Sequence, residues 1–380
     1  MSRINCEPNI SYDDVRAVYY LYMDSGRDPE GHRLRRYQTY PSLSAARKAK
    51  KDFQLQRELE ERSLAVPPNN LTLEQWLEEW MREIVMPSRA WTTVYGYDIL
   101  IRKYVNPRLG DIPLQSLSPK DLQHYYAYLS QEQGLGGNTI RHHHALLSAA
   151  LHAAMRQDLV AQCVTDRVEP PRFTQKDAYF YDAETLKKLY HLVEGHWLET
   201  PVHLAGSLGL RREEICGLRW ESVDLEQRRL CIKAARTVAG SRIVEKETKN
   251  RSSIRVLYME EDIYGLLLRD RTAHFQSCAA QGVSWNQHDL VALDKSGSPL
   301  SPNDLSRGFT AFIRANGLPP LTFHGLRHTF ATVASSQGVP LFDIGKVLGH
   351  STPTTTGRIY THLTDQFHVD TLAKVANALK

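Results

Sequence analysis

The chain has 380 residues, of which 47 are Lys or Arg, 43 are Asp or Glu and 42% are hydrophobic. This length and composition predict a folded protein of two or three domains and exclude a disordered one. No apolar run approaches the ~18 residues of a membrane span, and the N-terminal residues lack the apolar stretch of a signal peptide. The five cysteines are scattered without CxxC spacing, which argues against a zinc site and a disulfide framework and favours a reducing compartment. We therefore expect a cytoplasmic protein.

Two Pro-Pro pairs, at residues 67–68 and 170–171, interrupt the chain. Because paired prolines end helices and stiffen an extended connector, they are typical of linkers between domains. They predict three domains, at residues 1–66, 69–168 and 173–380.

The first predicted domain combines β-strands with a basic helix. Residues 15–22 and 34–40 are rich in β-branched and aromatic side chains, which predicts two strands joined through the turn residues of 24–31. A helix then begins, with Ser42 or Ser44 as its N-cap.

Positive charge is concentrated in this first domain. Between Arg27 and Arg57 there are nine Lys and Arg against three Asp and Glu, an excess of six, and Tyr37 and Tyr40 lie among them. Such a block is about as typical of a nucleic-acid surface as of a solvated face. The basic residues predicted to contact DNA are Arg33, Arg35, Arg36, Lys48, Lys50 and Lys51.

Residues 69–168 are predicted to be helical. Leu73, Trp76, Leu77 and Trp80 recur at helical spacing after Thr72, as core residues do.

Further along this domain, Ser118 before Pro119 marks a second helix N-terminus. Three consecutive histidines at 142–144 suggest a metal site, but successive residues on a helix point ~100° apart and cannot close one site together. We predict no metal there and expect a helix surface near DNA, with Arg141 as a contact.

Residues 173–380 are predicted to mix helices with one β-rich stretch. Residues 230–233, 242–246 and 254–258 alternate like the strands of a three-stranded antiparallel sheet, and the turn between the last two carries Lys249 and Asn250. The predicted fold class is therefore multidomain: a small α+β N-terminal domain, an all-α domain and a mostly α C-terminal domain with a small three-stranded antiparallel sheet.

A group of cationic and hydroxyl side chains near the C-terminus indicates the chemistry. His324 and Arg327 are three residues apart on a predicted helix, so both can reach one small anion. His350 follows Leu-Gly, and Tyr360 lies ten residues beyond it. Around a DNA phosphodiester these residues would supply charge neutralisation, hydrogen bonds and a nucleophile. His328 has metal-pair spacing with His324, but no carboxylate or cysteine completes a site, so we predict that it packs or supports a neighbouring site residue.

Five motifs in order resemble those of the tyrosine recombinases. They are Gly209-Leu-Arg211 with Glu214 and Trp220, Thr248-Lys249, His324-Gly-Leu-Arg327, Leu348-Gly-His350 and Tyr360. The whole chain is similar to the integrases of temperate phages and conjugative transposons. The resemblance implies the tyrosine recombinase fold, in which an arm-type DNA-binding domain and a core-type DNA-binding domain precede a catalytic domain with a C-terminal tail helix.

The predicted reaction is transesterification through a 3′-phosphotyrosyl ester on Tyr360. Arg211 and Arg327 can hold the non-bridging phosphate oxygens bidentately. His324 and His350 can donate hydrogen bonds to the same oxygens, and His324 can also accept the Tyr360 proton.

Two further residues complete the predicted site. The resemblance implies Lys249 as the general acid for the 5′-oxygen, while Glu214 is predicted to brace Arg211. Arg212 is an alternative to Arg211, and Lys246 or Arg251 is an alternative to Lys249.

These residues predict a site-specific DNA recombinase, an integrase of a mobile element, that needs no metal and no other cofactor. The expected partners are double-stranded DNA attachment sites and DNA-bending or excision factors, and the protein is expected to form a homotetramer on DNA. No membrane association is expected. The expected location is the nucleoid of a bacterial cytoplasm. A chromosome or plasmid dimer resolvase is one alternative, disfavoured by the basic unit at 1–66. A DNA-binding regulator that has lost catalysis is another, disfavoured by the complete set of reactive residues.

Overall fold

The computed structural model describes residues 3–27, 33–172, 179–240, 242–247, 254–280, 282, 289–294 and 296–349. The chain divides into two compact units, Met1–Thr174 and Gln175–Lys380. The N-terminal unit contains two separate hydrophobic clusters, one between Ile10 and Ala49 and one between Leu73 and Val168. The predicted boundary near residues 67–68 falls between these clusters and stays a prediction.

The N-terminal sheet has four antiparallel strands in sequential order: β1 (Arg3–Glu7), β2 (Ile10–Asp13), β3 (Val18–Arg27) and β4 (Arg33–Tyr40). Helix α1 (Leu43–Ala65) follows, and its Ala46 is buried with Ile10 and Leu21 of the sheet.

Two details of this region differ from the sequence prediction. The predicted strand at 15–22 begins only at Val18, because residues 14–17 form a turn in which Ala17 has a left-handed φ of 54°. Strands β1 and β2 were not predicted, since both are short and carry few β-branched residues. The predicted N-cap is confirmed at Ser42, whose Oγ accepts a hydrogen bond from the Ala45 amide at 3.2 Å.

The rest of the N-terminal unit is helical, as predicted. Thr72 and Ser118 both form capping boxes, and the apolar residues that follow Thr72 are buried. Its α-helices are α2 (Leu73–Trp80), α3 (Met86–Ser88), α4 (Trp91–Leu100), α5 (Asn106–Leu109), α6 (Pro119–Gln131) and α7 (Gly137–Arg156), with 3-10 turns at Leu114–Ser116 and Val164–Arg167.

Two of these helices widen into a π-helical turn before a proline. Met81–Val85 joins α2 to α3, and Ile101–Val105 joins α4 to α5. Pro87 and Pro107 follow within two residues of each turn. Because a proline ring collides with the carbonyl four residues earlier, a wider turn lets the chain continue as a helix.

The C-terminal unit surrounds one large core that includes Leu189, Val202, Ile215, Leu230 and Phe309. Its helices are α8 (Ala183–Val193), α9 (Glu199–Leu208), α10 (Arg212–Gly217), α11 (Glu261–Ala280), α12 (Pro302–Ala315), α13 (Phe323–Ser336) and α14 (Leu341–Leu348), with a 3-10 turn at Trp220–Ser222. Its strands are β5 (Val223–Asp224), β6 (Arg229–Ile232), β7 (Ala234–Ala239), β8 (Arg242–Glu247) and β9 (Arg255–Tyr258).

The three-stranded antiparallel sheet is present, but its strands differ from those predicted. The sheet has the order β5-β6-β9, whereas the predicted strand at 242–246 pairs with β7 in a separate hairpin. Ala239 pairs with Arg242 across a two-residue turn in which Gly240 has a φ of 66°, so the hairpin closes locally. The predicted tail helix after residue 365 lies outside the described residues. No helix in the described part of the chain is long and apolar enough to cross a membrane.

Candidate active site

Two helices of the C-terminal unit end beside each other at left-handed glycines. Gly209 ends α9 with a φ of 66°, and Gly349 ends α14 with a φ of 65°. A Cβ atom at Gly209 would lie 2.5 Å from Leu348 Cδ2 and 2.8 Å from Phe330 Cδ1. Glycine is therefore needed at 209 for both the backbone conformation and the close approach of the two helix ends.

Arg327 on α13 ties these helix ends together. Its guanidinium donates from Nη1 to the Gly209 carbonyl at 2.5 Å and from Nη2 to the Leu348 carbonyl at 2.7 Å. The residue is only 3% exposed. Carbonyls at the C-terminal end of a helix carry partial negative charge, so they suit a buried arginine.

Arg211 lies at the N-cap of α10, two residues after Gly209. Its Nη2 donates to the Gly349 carbonyl at 3.2 Å, and its Nη1 donates to Glu214 Oε1 at 2.7 Å. The Arg211 amide donates to Glu214 Oε2 at 2.9 Å, so the carboxylate holds both ends of the residue. About a third of the arginine side chain, 32%, stays exposed and available to an anion. The alternative, Arg212, instead contacts Glu213 and Ser306.

Glu214 is shared with a second arginine, Arg255 on β9. Arg255 donates from Nη1 to Oε1 at 3.0 Å and from Nη2 to Oε2 at 2.8 Å, and both side chains are buried. Burial raises the pKa of the carboxyl, but the hydrogen bonds and charge of Arg255 and the charge of Arg211 outweigh it and lower the pKa of Glu214 to about 2. The glutamate is therefore ionised at neutral pH. Sequence reasoning missed Arg255, because no local pattern marks the partner of a carboxylate 41 residues away.

His324 lies in the first turn of α13, whose N-cap Thr322 accepts a hydrogen bond from the Gly325 amide at 3.1 Å. The residue is exposed on average. Desolvation of the ring by the surrounding protein, followed by the effects of His328 and Arg327, lowers the pKa of His324 to about 4. The ring is therefore neutral at pH 7. The His328 ring lies edge-on to it at 5.0 Å between centroids, in keeping with the predicted packing role.

Half of the predicted catalytic set can thus be located. Arg211, His324 and Arg327 belong to one unit, and the arginines from two distant motifs meet at the C-terminal end of α14. The predicted residues Lys249, His350 and Tyr360 lie outside the described residues, as does Arg251.

The predicted DNA contacts of the N-terminal unit are spread over β4, α1 and α7. Arg36, Lys48, Lys51 and Arg141 are exposed. Lys50 Nζ donates to the Pro8 carbonyl at 2.7 Å, and Arg141 Nη1 donates to the Pro171 carbonyl at 3.1 Å. Arg33 and Arg35 lie on β4, and their side chains fall outside the described structure.

The expectation of a DNA-facing histidine surface at 142–144 was wrong for His143. His143 is fully buried, its Nδ1 lies 2.8 Å from the Tyr125 hydroxyl, and burial lowers its pKa to about 4. The neighbouring His144 contacts the Tyr126 hydroxyl at 2.9 Å. These two rings belong to contacts between α6 and α7 rather than to a DNA surface.

One group of side chains within the described residues has metal-ligand chemistry: His152, Cys163 and Asp166, whose ligand atoms lie within 4.8 Å of one another. His152 Nε2 pairs with Asp166 Oδ1 at 3.2 Å, and Cys163 Sγ lies 3.0 Å from Thr165 Oγ1. Burial raises the pKa of the Cys163 thiol, which favours its protonated form. These contacts account for all three side chains without an ion.

Comparison with known proteins identifies the family. Residues 180–366 match the phage integrase family, and residues 72–130 match the phage integrase N-terminal SAM-like domain. The first match spans all six predicted catalytic residues. The chain belongs to the phage integrase family of tyrosine recombinases, enzymes that cleave and rejoin DNA.

Relatives match along nearly the whole chain. A tyrosine recombinase XerC-like protein of Caldanaerobacter subterraneus is 27% identical over 92% of this chain and 93% of its own length. The ICEBs1 integrase of Bacillus subtilis is 23% identical over 91% and 93%. Among solved structures, the Tn1549 transposon integrase superposes with a TM-score of 0.66 at 20% identity, covering 80% of this chain and 99% of that one. A lambda integrase dimer superposes with a TM-score of 0.59 at 17% identity, covering 94% and 96%. These likenesses confirm the predicted fold class.

Proposed function

We propose that this protein is the integrase of a mobile element and that it cuts and rejoins DNA through a covalent 3′-phosphotyrosyl intermediate on Tyr360. In cleavage, the Tyr360 oxygen bonds to the scissile phosphorus as the bond to the 5′-oxygen breaks. In rejoining, a 5′-hydroxyl attacks that ester and releases the tyrosine. Each step exchanges one phosphoester bond for another, so no nucleotide needs to be hydrolysed.

One observation carries this proposal: the two arginines are anchored on consecutive carbonyls immediately before His350. Arg327 bonds to the Leu348 carbonyl and Arg211 to the Gly349 carbonyl. Two guanidinium groups held in this way are preorganised for the extra negative charge of a pentavalent phosphorus. Losing either donor is expected to raise the barrier by ~3–4 kcal/mol.

The neutral state of His324 supports its predicted role. A neutral imidazole can accept the proton that Tyr360 loses on attack, or donate its ring N–H to a phosphate oxygen. His350 follows the Gly349 anchor directly, and we assign it a second hydrogen bond to phosphate. We assign Lys249 as the general acid that protonates the 5′-oxygen, as in the family that the chain belongs to.

Covalent trapping on DNA tests the proposal. A core duplex recovered by binding selection with the full chain would carry a nick beside the scissile phosphate, so that cleavage releases a short strand and traps the covalent complex. Tyr360→Phe should form no covalent complex yet bind the duplex almost as the native protein does, because phosphate contacts spread over the surface supply most of the affinity. Tyr258→Phe, an exposed tyrosine on β9, is the matched control and should cleave normally. Cleavage by Tyr360→Phe would show that Tyr360 is not the nucleophile.

The same assay tests the regulator alternative, and the need for a second class of DNA site tests the resolvase alternative. A DNA-binding regulator on this fold would bind the duplex without covalent attachment. A dimer resolvase would cleave it but would need no second class of site for the basic N-terminal unit.

We further propose that the protein works as a tetramer on two attachment sites. One lambda integrase structure to which the chain is similar is a tetramer bound to a Holliday junction, with a TM-score of 0.57 at 19% identity over 92% of this chain and 98% of that one. Since its substrates are attachment sites in double-stranded DNA, we place its action in the nucleoid of the bacterial cytoplasm, with DNA-bending or excision factors as partners.

A further inference from the structure

Arg255 occupies an unusual position for an arginine. Strand β9 alternates between inward and outward residues, and Arg255 is one of the inward ones, with a side chain only 7% exposed. Burying a guanidinium costs solvation free energy, so its partners must be strong and well placed. The adjacent outward residues, Val256 and Tyr258, are at least half exposed.

The partner of Arg255 is the carboxylate that also holds Arg211. Arg255 spans both oxygens of Glu214, while Arg211 uses one of them from its guanidinium and the other from its amide. The three side chains together carry two positive charges and one negative charge. Without Arg255, the same carboxylate would face Arg211 alone, and the charge of Arg211 would be cancelled before DNA arrived.

Arg255 also borders the glycine on which Arg211 is anchored. A Cβ atom at Gly349 would lie 3.0 Å from Arg255 Nη1. The two arginines therefore flank both Glu214 and the end of α14, and Arg255 is well placed to influence Arg211 without reaching a ligand itself.

We propose that Arg255 is a positioning residue that balances the charge of Glu214, so that Arg211 keeps its full positive charge for the scissile phosphate. This inference rests on the proposed role of Arg211. The competing explanation is that the Arg255–Glu214 pair only cross-links β9 to α10 and has no effect on the phosphate.

The electrostatic role can be tested by changing the charge of the substrate. A methylphosphonate at the scissile position has a neutral methyl group in place of one charged oxygen, so its cleavage depends less on an arginine charge. The full chain would be assayed in single-turnover cleavage of two nicked core duplexes, one with the phosphodiester and one with the methylphosphonate. Thermal unfolding of each variant would be measured in parallel.

Arg255→Met should slow cleavage of the phosphodiester by about tenfold or more, less than the ~10²–10³-fold expected for loss of a direct donor such as Arg211. The loss on the methylphosphonate should be clearly smaller. Arg229→Met is the matched control, because Arg229 lies on the neighbouring strand β6 and pairs with Asp224. It should cleave both substrates at the native rate.

Two further variants keep the test decisive if Arg255→Met unfolds. Arg255→Lys preserves the charge but not the fork, so the ratio of its rates on the two substrates should stay near the native ratio. Glu214→Gln combined with Arg255→Met removes both members of the pair, so the charge of Arg211 stays uncancelled and the ratio of the rates on the two substrates should also stay near the native ratio.

Equal losses on both substrates in folded protein would overturn the proposal in favour of the cross-link, and a native rate for Arg255→Met would overturn it outright. Arg211→Met identifies failure of the underlying function. If Arg211→Met cleaves like the native protein, both proposals fall. If Arg211→Met is slow while Arg255→Met is not, only the role of Arg255 falls.

Discussion

Arg211 donates a hydrogen bond to the carbonyl of Gly349, a residue 138 positions later in the chain, at 3.2 Å. This contact joins two sequence motifs, Gly-Leu-Arg and Leu-Gly-His. The glycine of the first motif ends α9 and the glycine of the second ends α14, both with a left-handed backbone. A change of backbone conformation at Gly349 would therefore displace the Arg211 guanidinium as well as the histidine that follows.

Replacing Gly349 tests this coupling. Gly349→Ala should strain the left-handed backbone by roughly 1–2 kcal/mol, and its Cβ, 3.0 Å from Arg255 Nη1, should displace the arginines. We expect cleavage in the covalent trapping assay to fall at least tenfold. Gly338→Ala is the matched control, because Gly338 also has a positive φ, 81°, but no atom within 4 Å of a Cβ. The control should show a similar loss of stability in urea unfolding and native cleavage. Equal cleavage by the two variants would contradict the coupling.

The buried carboxylate of Glu214 predicts an acid-sensitive fold. Its pKa of about 2 lies below the ordinary 4.5, so its ionised form stabilises the folded state fully above pH 4.5, and this contribution is lost as the pH falls towards 2. The full contribution is on the order of 3 kcal/mol. In urea unfolding, the stability difference between the native protein and Glu214→Gln should shrink as the pH falls from 5 to 3. Glu184→Gln, which removes an exposed carboxylate, should show no such trend. A constant difference across this range would contradict the prediction.

Removal of the basic N-terminal unit should separate cleavage from full recombination. Without residues 1–66 the protein should still cleave an isolated core site but should lose recombination that needs a second class of DNA site. The reason is the excess of six positive charges between Arg27 and Arg57, set apart from the catalytic motifs.

In full-length protein, reversing the charge of exposed Lys48 and Lys51 to Glu should weaken binding to the second class of DNA site. It should also make that binding less dependent on salt concentration, as measured by fluorescence anisotropy. Exposed Glu78 of α2 changed to Gln serves as the control. Unchanged salt dependence would count against the arm-type assignment.

The chain after Tyr360 should couple cleavage to assembly. Leu372, Val375, Ala376 and Leu379 fall at helical spacing and give residues 365–380 one apolar stripe. A short free helix is marginal in water, so the stripe should be buried against another surface. Truncation after Thr364 should reduce tetrameric complexes on DNA, measured by light scattering, and should alter cleavage while the catalytic domain stays folded. Lys374 lies on the face of the predicted helix opposite the apolar stripe, so Lys374→Gln should leave assembly intact. Normal assembly and recombination by the truncated protein would show that docking on a neighbour is not required.

Local signals made much of the fold predictable. Thr72 and Ser118 start helices because a side-chain oxygen satisfies a free amide within three residues, and Gly209 ends a helix because it accepts a left-handed backbone. The motif order identified the family because each motif is short and continuous. These features depend on chain neighbours, which a sequence displays directly.

Partners that are distant in the chain were beyond sequence reasoning. Glu214 was expected beside Arg211, three residues away, but its bond to Arg255 forms across 41 residues. His143 was expected near DNA, yet the fold brings the Tyr125 hydroxyl to it from another helix. The strands at 242–247 and 255–258 alternate in the same way, so alternation alone does not decide which of them joins the sheet.

The pairing of β6 with β9 has a further consequence for how such a chain can vary. Ile232 and Arg255 are opposite each other in that ladder, so the 22 residues between them, including the β7–β8 hairpin and Lys249, leave and re-enter the sheet at one point. Doubling the length of a flexible loop closed at its base costs only about 0.6 kcal/mol. We therefore expect the excursion to accept changes in length, provided that Lys249 and the arginine at its return point are kept.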